Sequence, residues 1–516
     1  MSALIKSTVS VGSMTLLSRL LGLARDIVIA RFFSASDAAD AFFVAFKIPN
    51  FLRRLFAEGA FSLAFVPVLT EYRNNFSVAR TRDLIDRVAG TLGFILLLLS
   101  LFGVVASPLL IGVFAAGFLD QPAKFDLTAD MLRITFPYIL LISMTAMAAG
   151  ILNTWKHFLV PAFTPVLLNL SLIGCALYLS PRLDLPVTAL AWGVLIAGIA
   201  QLLFQLPFLY REGLLPRPRW GWRHEGVQKI VRLMIPALFG SSVAQINLLF
   251  DTFIASFLVT GSVSWLYYSD RLLEFPLGVF GIALATVVLP NLSEAHYKKG
   301  ATHFNDTLRW AIQLSLLIAV PATFGLFLLA QPILSTLFEY GAFRANDSMM
   351  AAYSLMAYSL GLPAFVLIKI LANGFYARQD TKTPVRIGIQ AMVLNMLLNV
   401  VLVVWMVQTD FLAPHVGLAL ATTASAYFNA FRLARELRRD KFLGTLETFS
   451  RPLLKILFAC LVMTALIHFM LPVTDNWGEW RWHQRLTELA RVILPAILCY
   501  GILLWIMGFR RQHIVA

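Results

Sequence analysis

The sequence predicts an all-α polytopic membrane protein with about fourteen transmembrane helices, and three observations support this. Of its 516 residues, 59% are hydrophobic and 14% are charged, whereas soluble domains average roughly 45–50% and 25%. Apolar runs of roughly 20 residues, long enough to cross a bilayer core as helix, recur along the whole chain with short polar gaps between them. These runs are continuous and do not alternate with polar residues, as the strands of a membrane barrel would.

The predicted spans leave no room for a sizeable soluble domain. Charged residues interrupt the first span at Arg19, Arg25 and Asp26, and no small-residue cleavage site follows, so we expect it to stay attached as a helix. The three cysteines lie inside apolar runs without metal-ligand spacing, and we assign them to packing. The spans start near positions 8, 40, 88, 130, 160, 187, 230, 264, 308, 349, 386, 412, 453 and 486.

Charge in the loops predicts the orientation of the chain. The net charge is +14, but Lys and Arg lie mainly in the short loops between apolar runs. One alternating set of loops, which includes both termini, carries roughly four times as many basic residues as the other. By the positive-inside rule this richer side is cytoplasmic. The positive charge is therefore a topology signal, and we expect no nucleic-acid partner.

An internal duplication is visible in the loops. Residues 67–71 (PVLTE) correspond to residues 290–294 (PNLSE), an offset of 223, and Pro161 corresponds to Pro384 at the same offset. A third correspondence, at an offset of 224, joins Phe114 and Gly117 to Phe338 and Gly341. Each repeat holds six helices, so the halves are parallel and a central cleft is expected between them. The predicted divisions are 1–225, 226–445 and an added pair of helices at 446–516.

Basic residues inside the spans require an explanation. An arginine at the centre of a membrane helix costs about 2.5–3.5 kcal/mol, so these residues must face a cavity or a partner. Acids lie close by in sequence, and structural ion pairs or snorkelling at the interface are the alternative. The basic residues are Arg19, Arg25, Lys47, Arg53, Arg54, Arg133, Arg271 and Lys369. The acids are Asp26, Asp40, Glu58, Asp270 and Glu274.

The arrangement of these charges predicts the class of cargo. The basic residues concentrate in the first, second and eighth spans, which belong to both repeats and would line a cleft between them. Arginine suits phosphate because its planar guanidinium forms bidentate hydrogen bonds. We therefore expect an anionic cargo, a phosphate ester. No phosphate-binding loop, GxGxxG, HExxH or histidine cluster occurs. ATP hydrolysis is thus not expected, and neither are enzymatic activity or a bound cofactor.

Two further features have open interpretations. Asp251 has no basic neighbour within a turn, and with Asn395 and Asn399 it could bind sodium or carry a proton, or it is a packing aspartate. Prolines at Pro49 and Pro276 predict a kink or break, since proline removes a helix hydrogen bond. Prolines are also frequent in membrane helices, so a hinge role is one of two alternatives.

Five segments resemble one known family over essentially the whole chain. Residues 18–26, 40–72, 136–143, 261–290 and 374–385 are similar to the lipid II flippases of peptidoglycan synthesis, the virulence-factor branch of the multidrug, oligosaccharidyl-lipid and polysaccharide exporter superfamily. The resemblance implies fourteen helices in the bacterial inner membrane, with two six-helix lobes and a groove for the lipid tail at the last two helices. The implied cavity positions are Arg19, Arg25, Asp40, Arg53, Arg54, Glu58, Asp270, Arg271 and Glu274.

The resemblance also implies a mechanism and partners. Undecaprenyl-diphosphate-linked disaccharide pentapeptide would move from the cytoplasmic to the periplasmic leaflet, driven by membrane potential or a sodium or proton gradient. The arginines would bind the diphosphate, releasing Asp40, Glu58 and Glu274 to pair elsewhere and favour outward opening. Membrane lipids and the proteins of cell-wall synthesis and division are the other expected partners. The alternatives are a cation-coupled exporter of drugs or another lipid-linked glycan, and a scaffold for cell-wall enzymes.

Overall fold

The computed structural model describes residues 2–278, 282–295, 300–443, 447–472 and 477–509. Within these ranges the chain forms α-helices joined by short loops, 3-10 turns and π-helical segments, and contains no strand. The all-α prediction is confirmed. Contacts between residues divide the chain into two compact units, 1–264 and 265–516. The boundaries predicted from the duplication concern the repeats and remain a prediction.

The first unit holds ten helices and the start of an eleventh. They are α1 (Ser2–Phe33), α2 (Asp37–Arg53), α3 (Ser62–Asn75), α4 (Val78–Val105), α5 (Ser107–Phe114), α6 (Pro122–Thr135), α7 (Tyr138–Thr154), α8 (Leu159–Gly174), α9 (Thr188–Arg211), α10 (Glu225–Ala255) and α11 (Ser262–Pro276). A π-helical segment at Arg54–Phe61 joins α2 to α3, and a 3-10 turn at Ala116–Asp120 precedes α6.

The second unit contains the rest of α11 and eight further helices. They are α12 (Ile282–Glu294), α13 (Gly300–Leu328), α14 (Ala330–Phe338), α15 (Ala345–Tyr376), α16 (Lys382–Gln408), α17 (Val416–Arg439), α18 (Glu447–Met470) and α19 (Trp482–Ile506).

Nine stretches of helix among the described residues are long and apolar enough to cross a membrane. They coincide with the predicted spans that start near 88, 130, 160, 187, 308, 349, 386, 453 and 486. The other five predicted spans coincide with α1, α2 to α3, α10, α11 to α12, and α17. The chain is thus a multi-pass membrane protein, and the count of fourteen remains a prediction.

The same helix pairs pack together in both units, as a duplication requires. In the first unit α4 packs on α7, α7 on α9, and α8 on α9. In the second unit α13 packs on α15, α15 on α17, and α16 on α17. These are corresponding pairs of spans in the two repeats. The added helices α18 and α19 pack on each other and on α13 and α14 through apolar clusters that include Val320, Cys460 and Val492.

The predicted break in the second span lies one turn beyond its proline. Helix α2 continues through Pro49 to Arg53, and the departure from α geometry begins at Arg54, where the π-helical segment starts. A π-helical segment widens the helix and often marks a functional position. Pro276 is the last residue of α11 with α geometry, and residues 277–278 continue as π-helix.

Candidate functional site

The buried arginine of α1 is paired with its neighbour in sequence. Arg25 is 6% exposed, and its Nε and Nη2 donate to Asp26 Oδ1 at 2.9 and 2.6 Å. Its Nη1 donates to Asn169 Oδ1 of α8 at 3.1 Å, and Asn169 Nδ2 donates to the Ser18 carbonyl oxygen at 3.0 Å. This contact is of the kind given above as the alternative to a cavity role, a structural ion pair. Arg25 therefore helps to join α1 to α8.

The first unit has three further arginines at predicted cavity positions: Arg19 in α1, Arg53 at the end of α2 and Arg54 at the start of the π-helical segment. Arg53 Nε donates to Asn50 Oδ1 at 2.9 Å, one turn earlier on α2. Arg54 opens the π-helical segment, and it is half-buried, as is Arg19. Neither Arg19 nor Arg54 has a hydrogen bond or ion pair with another described residue. Within the described part of the chain, neither guanidinium group has an acidic partner. Glu58 lies in the same π-helical segment, and its side chain is outside the described part of the structure.

The arginine of α11 is paired as its spacing predicts. Arg271 Nη1 donates to Glu274 Oε2 at 2.8 Å, and the guanidinium lies 5.0 Å from the centre of the Tyr267 ring. Both charged side chains are partly exposed, so the pair is accessible and readily exchanged. Asp270, the preceding residue, is half-buried. By contrast, Arg133 is an exposed arginine on α6 that pairs with Asp130.

Asp40 is bound by a lysine and by donors at the start of α11, and its place among the cavity residues remains a prediction. It is 1% exposed, and its Oδ1 accepts from the Ser264 amide at 3.0 Å and the Ser264 hydroxyl at 2.6 Å. Its Oδ2 accepts from the Gly261 amide at 2.8 Å and from Lys124 Nζ at 3.2 Å. The carboxylate thus caps the first turn of α11, where amide groups without helical partners favour an anion.

A second acid and a single lysine complete this group, which we name the Asp40 cluster: Asp37, Asp40, Lys124, Thr260 and Ser264. Asp37 Oδ1 accepts from Thr260 Oγ1 at 2.7 Å and from Lys124 Nζ at 2.8 Å. Lys124 Nζ lies 4.4 Å from the centre of the Phe118 ring, and its side chain is 4% exposed. One buried ammonium therefore serves two carboxylates.

The contacts of the Asp40 cluster follow the duplication. Thr260 contacts Asp37, 223 residues away, and Ser264 contacts Asp40, 224 residues away. These separations equal the offsets of the repeat, so residues at equivalent positions of the two repeats meet here. The spacing of the two acids, three residues apart at a helix start, was a signal available in the sequence. Lys124 falls in the loop set that is poor in basic residues, but nothing in the sequence pairs it with these acids.

The predicted cation site is described only in part. Asp251 is half-buried on α10. Asn395 and Asn399 lie on one face of α16 as predicted, with Asn399 Nδ2 donating to Asn395 Oδ1 at 2.9 Å. Asn395 Nδ2 donates to hydroxyls of α17, on Thr422 and Ser425, at 3.2 and 3.4 Å. Among the described residues, no group of three or more His, Cys, Asp or Glu could hold a metal ion. A sodium or proton site remains a prediction.

Comparison with known proteins identifies the family. The profile of the family described as "Lipid II flippase MurJ" matches residues 29–486. A relative from Vibrio cholerae, a probable lipid II flippase MurJ, is 49% identical over 520 residues, which cover 99% of this chain and 98% of the relative. The lipid II flippase MurJ of Burkholderia cenocepacia is 41% identical, with 99% and 98% covered.

Solved structures show the same fold. A lipid II flippase MurJ in an inward closed conformation superposes with a TM-score of 0.79 at 29% identity, covering 96% of this chain and 98% of that one. An inward-facing multidrug resistance MATE transporter of the MOP superfamily gives a TM-score of 0.68 at 14% identity, covering 84% and 98%, which shows the fold alone. The chain, a multi-pass protein of the bacterial inner membrane, belongs to the MurJ family of lipid II flippases.

Proposed function

We propose that this chain translocates lipid II from the cytoplasmic to the periplasmic leaflet by alternating access, and that its membrane-embedded arginines bind the diphosphate. The observation that carries this proposal is the state of Arg19 and Arg54, which are half-buried and have no hydrogen bond or ion pair among the described residues. A half-buried guanidinium without a counter-ion is costly in a membrane protein. An anionic ligand would satisfy it through charge-assisted hydrogen bonds.

The remaining arginines have different roles in this proposal. Arg271 is held by one partly exposed carboxylate, so a diphosphate can displace Glu274 and leave that acid free to pair elsewhere. Arg25 is bound more firmly, because its donors are used by Asp26 and Asn169 in a buried position. We therefore assign first contact with the diphosphate to Arg19, Arg54 and Arg271, and a supporting role to Arg25. Asp40 takes no part in this exchange.

The driving force is also part of the proposal. Each charge that crosses the full field is worth about 2.3 kcal/mol per 100 mV. An inside-negative potential would therefore help the positively charged cavity to face the cytoplasm again after it has released its anionic cargo. Coupling to sodium or protons through Asp251 would add to this. Asp251→Asn should abolish any dependence of transport on an ion gradient and leave its dependence on membrane potential unchanged.

The cargo indicates which other proteins should associate with this chain. Lipid II delivered to the periplasmic leaflet must be consumed there by the enzymes that polymerise cell wall. We therefore propose transient association with cell-wall synthesis and division proteins, which crosslinking in growing cells followed by mass spectrometry would detect.

The experiment for the proposed function measures lipid II exposed on the outer face of the inner membrane in cells that depend on this protein alone. Arg271→Ala and Arg54→Ala should each reduce exposure by about tenfold or more, as expected for loss of a charge-assisted contact. Arg133→Ala is the matched control, because Arg133 forms an ion pair of the same three-residue spacing but is exposed. Normal exposure in the Arg54 and Arg271 variants at wild-type protein levels would contradict the proposal.

A further inference from the structure

We infer that Lys124 is a positioning residue that stabilises the arrangement in which the first turn of α11 is docked on α2, and so sets how readily that turn separates from α2. The transport consequence rests on the proposed alternating-access function. The structural part concerns only the Asp40 cluster, and the two can be tested separately.

The charges of the cluster balance only when Lys124 is present. Asp37 and Asp40 lie three residues apart on the first turn of α2, and both contact the same ammonium, at 2.8 and 3.2 Å. Asp40 and Lys124 are almost fully buried, whereas Asp37 is 56% exposed at its side chain. Two like charges in a partly desolvated site repel each other more strongly than in water. Without Lys124, the docked arrangement would hold two carboxylates with no cation among their contacts.

The cluster has a fixed part and a part that can separate from it. Lys124 belongs to α6, which packs along α2, so the lysine and both acids stay together. The remaining donors come from Thr260 and Gly261, between α10 and α11, and from Ser264 in the first turn of α11. If this segment moves away, the acids lose those hydrogen bonds and gain water in their place. Hydrated carboxylates depend little on a counter-ion, because their solvation is restored.

Lys124 therefore stabilises the docked arrangement more than the separated one. Its removal raises the energy of the docked arrangement, where Asp40 is buried beside a partly exposed Asp37, and changes the separated arrangement little. A second contact supports the same docking, since the Gly117 amide donates to Ser256 Oγ at 3.0 Å from the 3-10 turn that also carries Phe118. The expected result of losing Lys124 is a protein in which the first turn of α11 is separated from α2 more of the time.

Thr260 lies between the seventh and eighth predicted spans, on the periplasmic side in the predicted orientation. The test therefore measures how fast a buried reporter reacts with a membrane-impermeant maleimide in spheroplasts. Ser262, at the start of α11, is 1% exposed, and Ser262→Cys places the thiol next to the cluster. The background carries Cys499→Ser, because Cys499 is the one native cysteine that is not buried. Lys124→Met keeps an apolar chain against Phe118 and removes the charge. We expect labelling to rise about tenfold or more, as for loss of one member of a buried ion pair.

Two variants make the result specific. Arg133→Met removes a cation from the same helix, α6, at an exposed ion pair and should leave labelling unchanged. Asp37→Asn added to Lys124→Met removes the carboxylate repulsion and should lower labelling again. If Lys124→Met does not accumulate in the membrane, the comparison is made within the Asp37→Asn background, where losing Lys124 must still raise labelling.

Unchanged labelling in a folded Lys124→Met protein, or failure of Asp37→Asn to lower it, would overturn the inference. Labelling needs no lipid II, so these outcomes are independent of the proposed function. A labelling increase in a chain that shows no lipid II exposure in any form would support the role of Lys124 and contradict the proposed function. Increased labelling together with slower exposure of lipid II would support both.

Discussion

Individual charged residues are tolerated inside this protein when their geometry matches the groups around them. Arg485, at the start of α19, is 3% exposed. Its Nη1 donates to the carbonyl oxygens of Ser335 at 2.6 Å and Glu339 at 3.0 Å, its Nε donates to Trp480 at 2.9 Å, and its Nη2 donates to Gly478. The guanidinium group thus donates to four carbonyl oxygens, and its planar fork of N–H groups makes this arrangement possible.

Arg485→Lys should therefore destabilise the docking of α19 on α14. A lysine ammonium is a single point with three donors and cannot reach four separated carbonyls, so a loss of about 2–4 kcal/mol is expected. Thermal unfolding in detergent would measure the change. Arg491→Lys serves as the control, because Arg491 is exposed and its ion pair is with Glu488 on the same helix. Equal unfolding temperatures for the two variants would contradict this interpretation.

A second prediction at this scale separates structure from transport at Arg25. Arg25→Ala removes the ion pair of the buried Asp26 and should lower the amount of folded protein, since a broken buried pair costs about 3–5 kcal/mol. Arg25→Ala with Asp26→Ala removes both charges and should restore the amount of protein. If Arg25 also supports the diphosphate, lipid II exposure stays reduced in the double variant. Full recovery of both would show that the pair is structural.

At the scale of elements, the segment between α9 and α10 is fixed along α4. The Arg219 amide donates to the Asp86 carbonyl oxygen at 3.0 Å, and the Gly221 amide donates to Thr91 Oγ1 at 3.0 Å. A Cβ atom added at Gly90 of α4 would collide with the Arg219 backbone. This connection is therefore an ordered, packed part of the first unit, and the glycine permits its close approach.

Gly90→Ala should consequently weaken this packing, although alanine is the better helix former. The steric overlap with backbone should cost about 1–3 kcal/mol, which exceeds the gain in helix propensity of about 1 kcal/mol. Gly112→Ala in α5 is the matched control, because a Cβ there has no atom within 4 Å. Limited proteolysis between residues 212 and 224 would report the difference. Equal cleavage in both variants would show that the contact is unimportant.

At the scale of the whole molecule, loop charge predicts the orientation in the membrane. Both termini and the loop at 377–381, near Arg378 and Lys382, are predicted to be cytoplasmic, whereas the loop at 339–344 is predicted to be periplasmic.

Reporter fusions test this orientation directly. Alkaline phosphatase, which is active only outside the cytoplasm, should be active after residue 342 and inactive after residue 380. A fluorescent protein that folds in the cytoplasm should fluoresce at the C-terminus. Phosphatase activity after residue 380 would invert the predicted orientation.

The sequence alone was sufficient for the class of fold, the nine apolar spans, the duplication and the family, because each depends on local composition or on a pattern repeated along the chain. It also placed Arg271 with Glu274, since three residues of helix bring two side chains onto one face. Lys124 and Asp40 are 84 residues apart, and Arg485 meets carbonyl groups 150 residues earlier. Only the tertiary structure could decide such partners, because desolvation and hydrogen-bond geometry depend on which helices pack together.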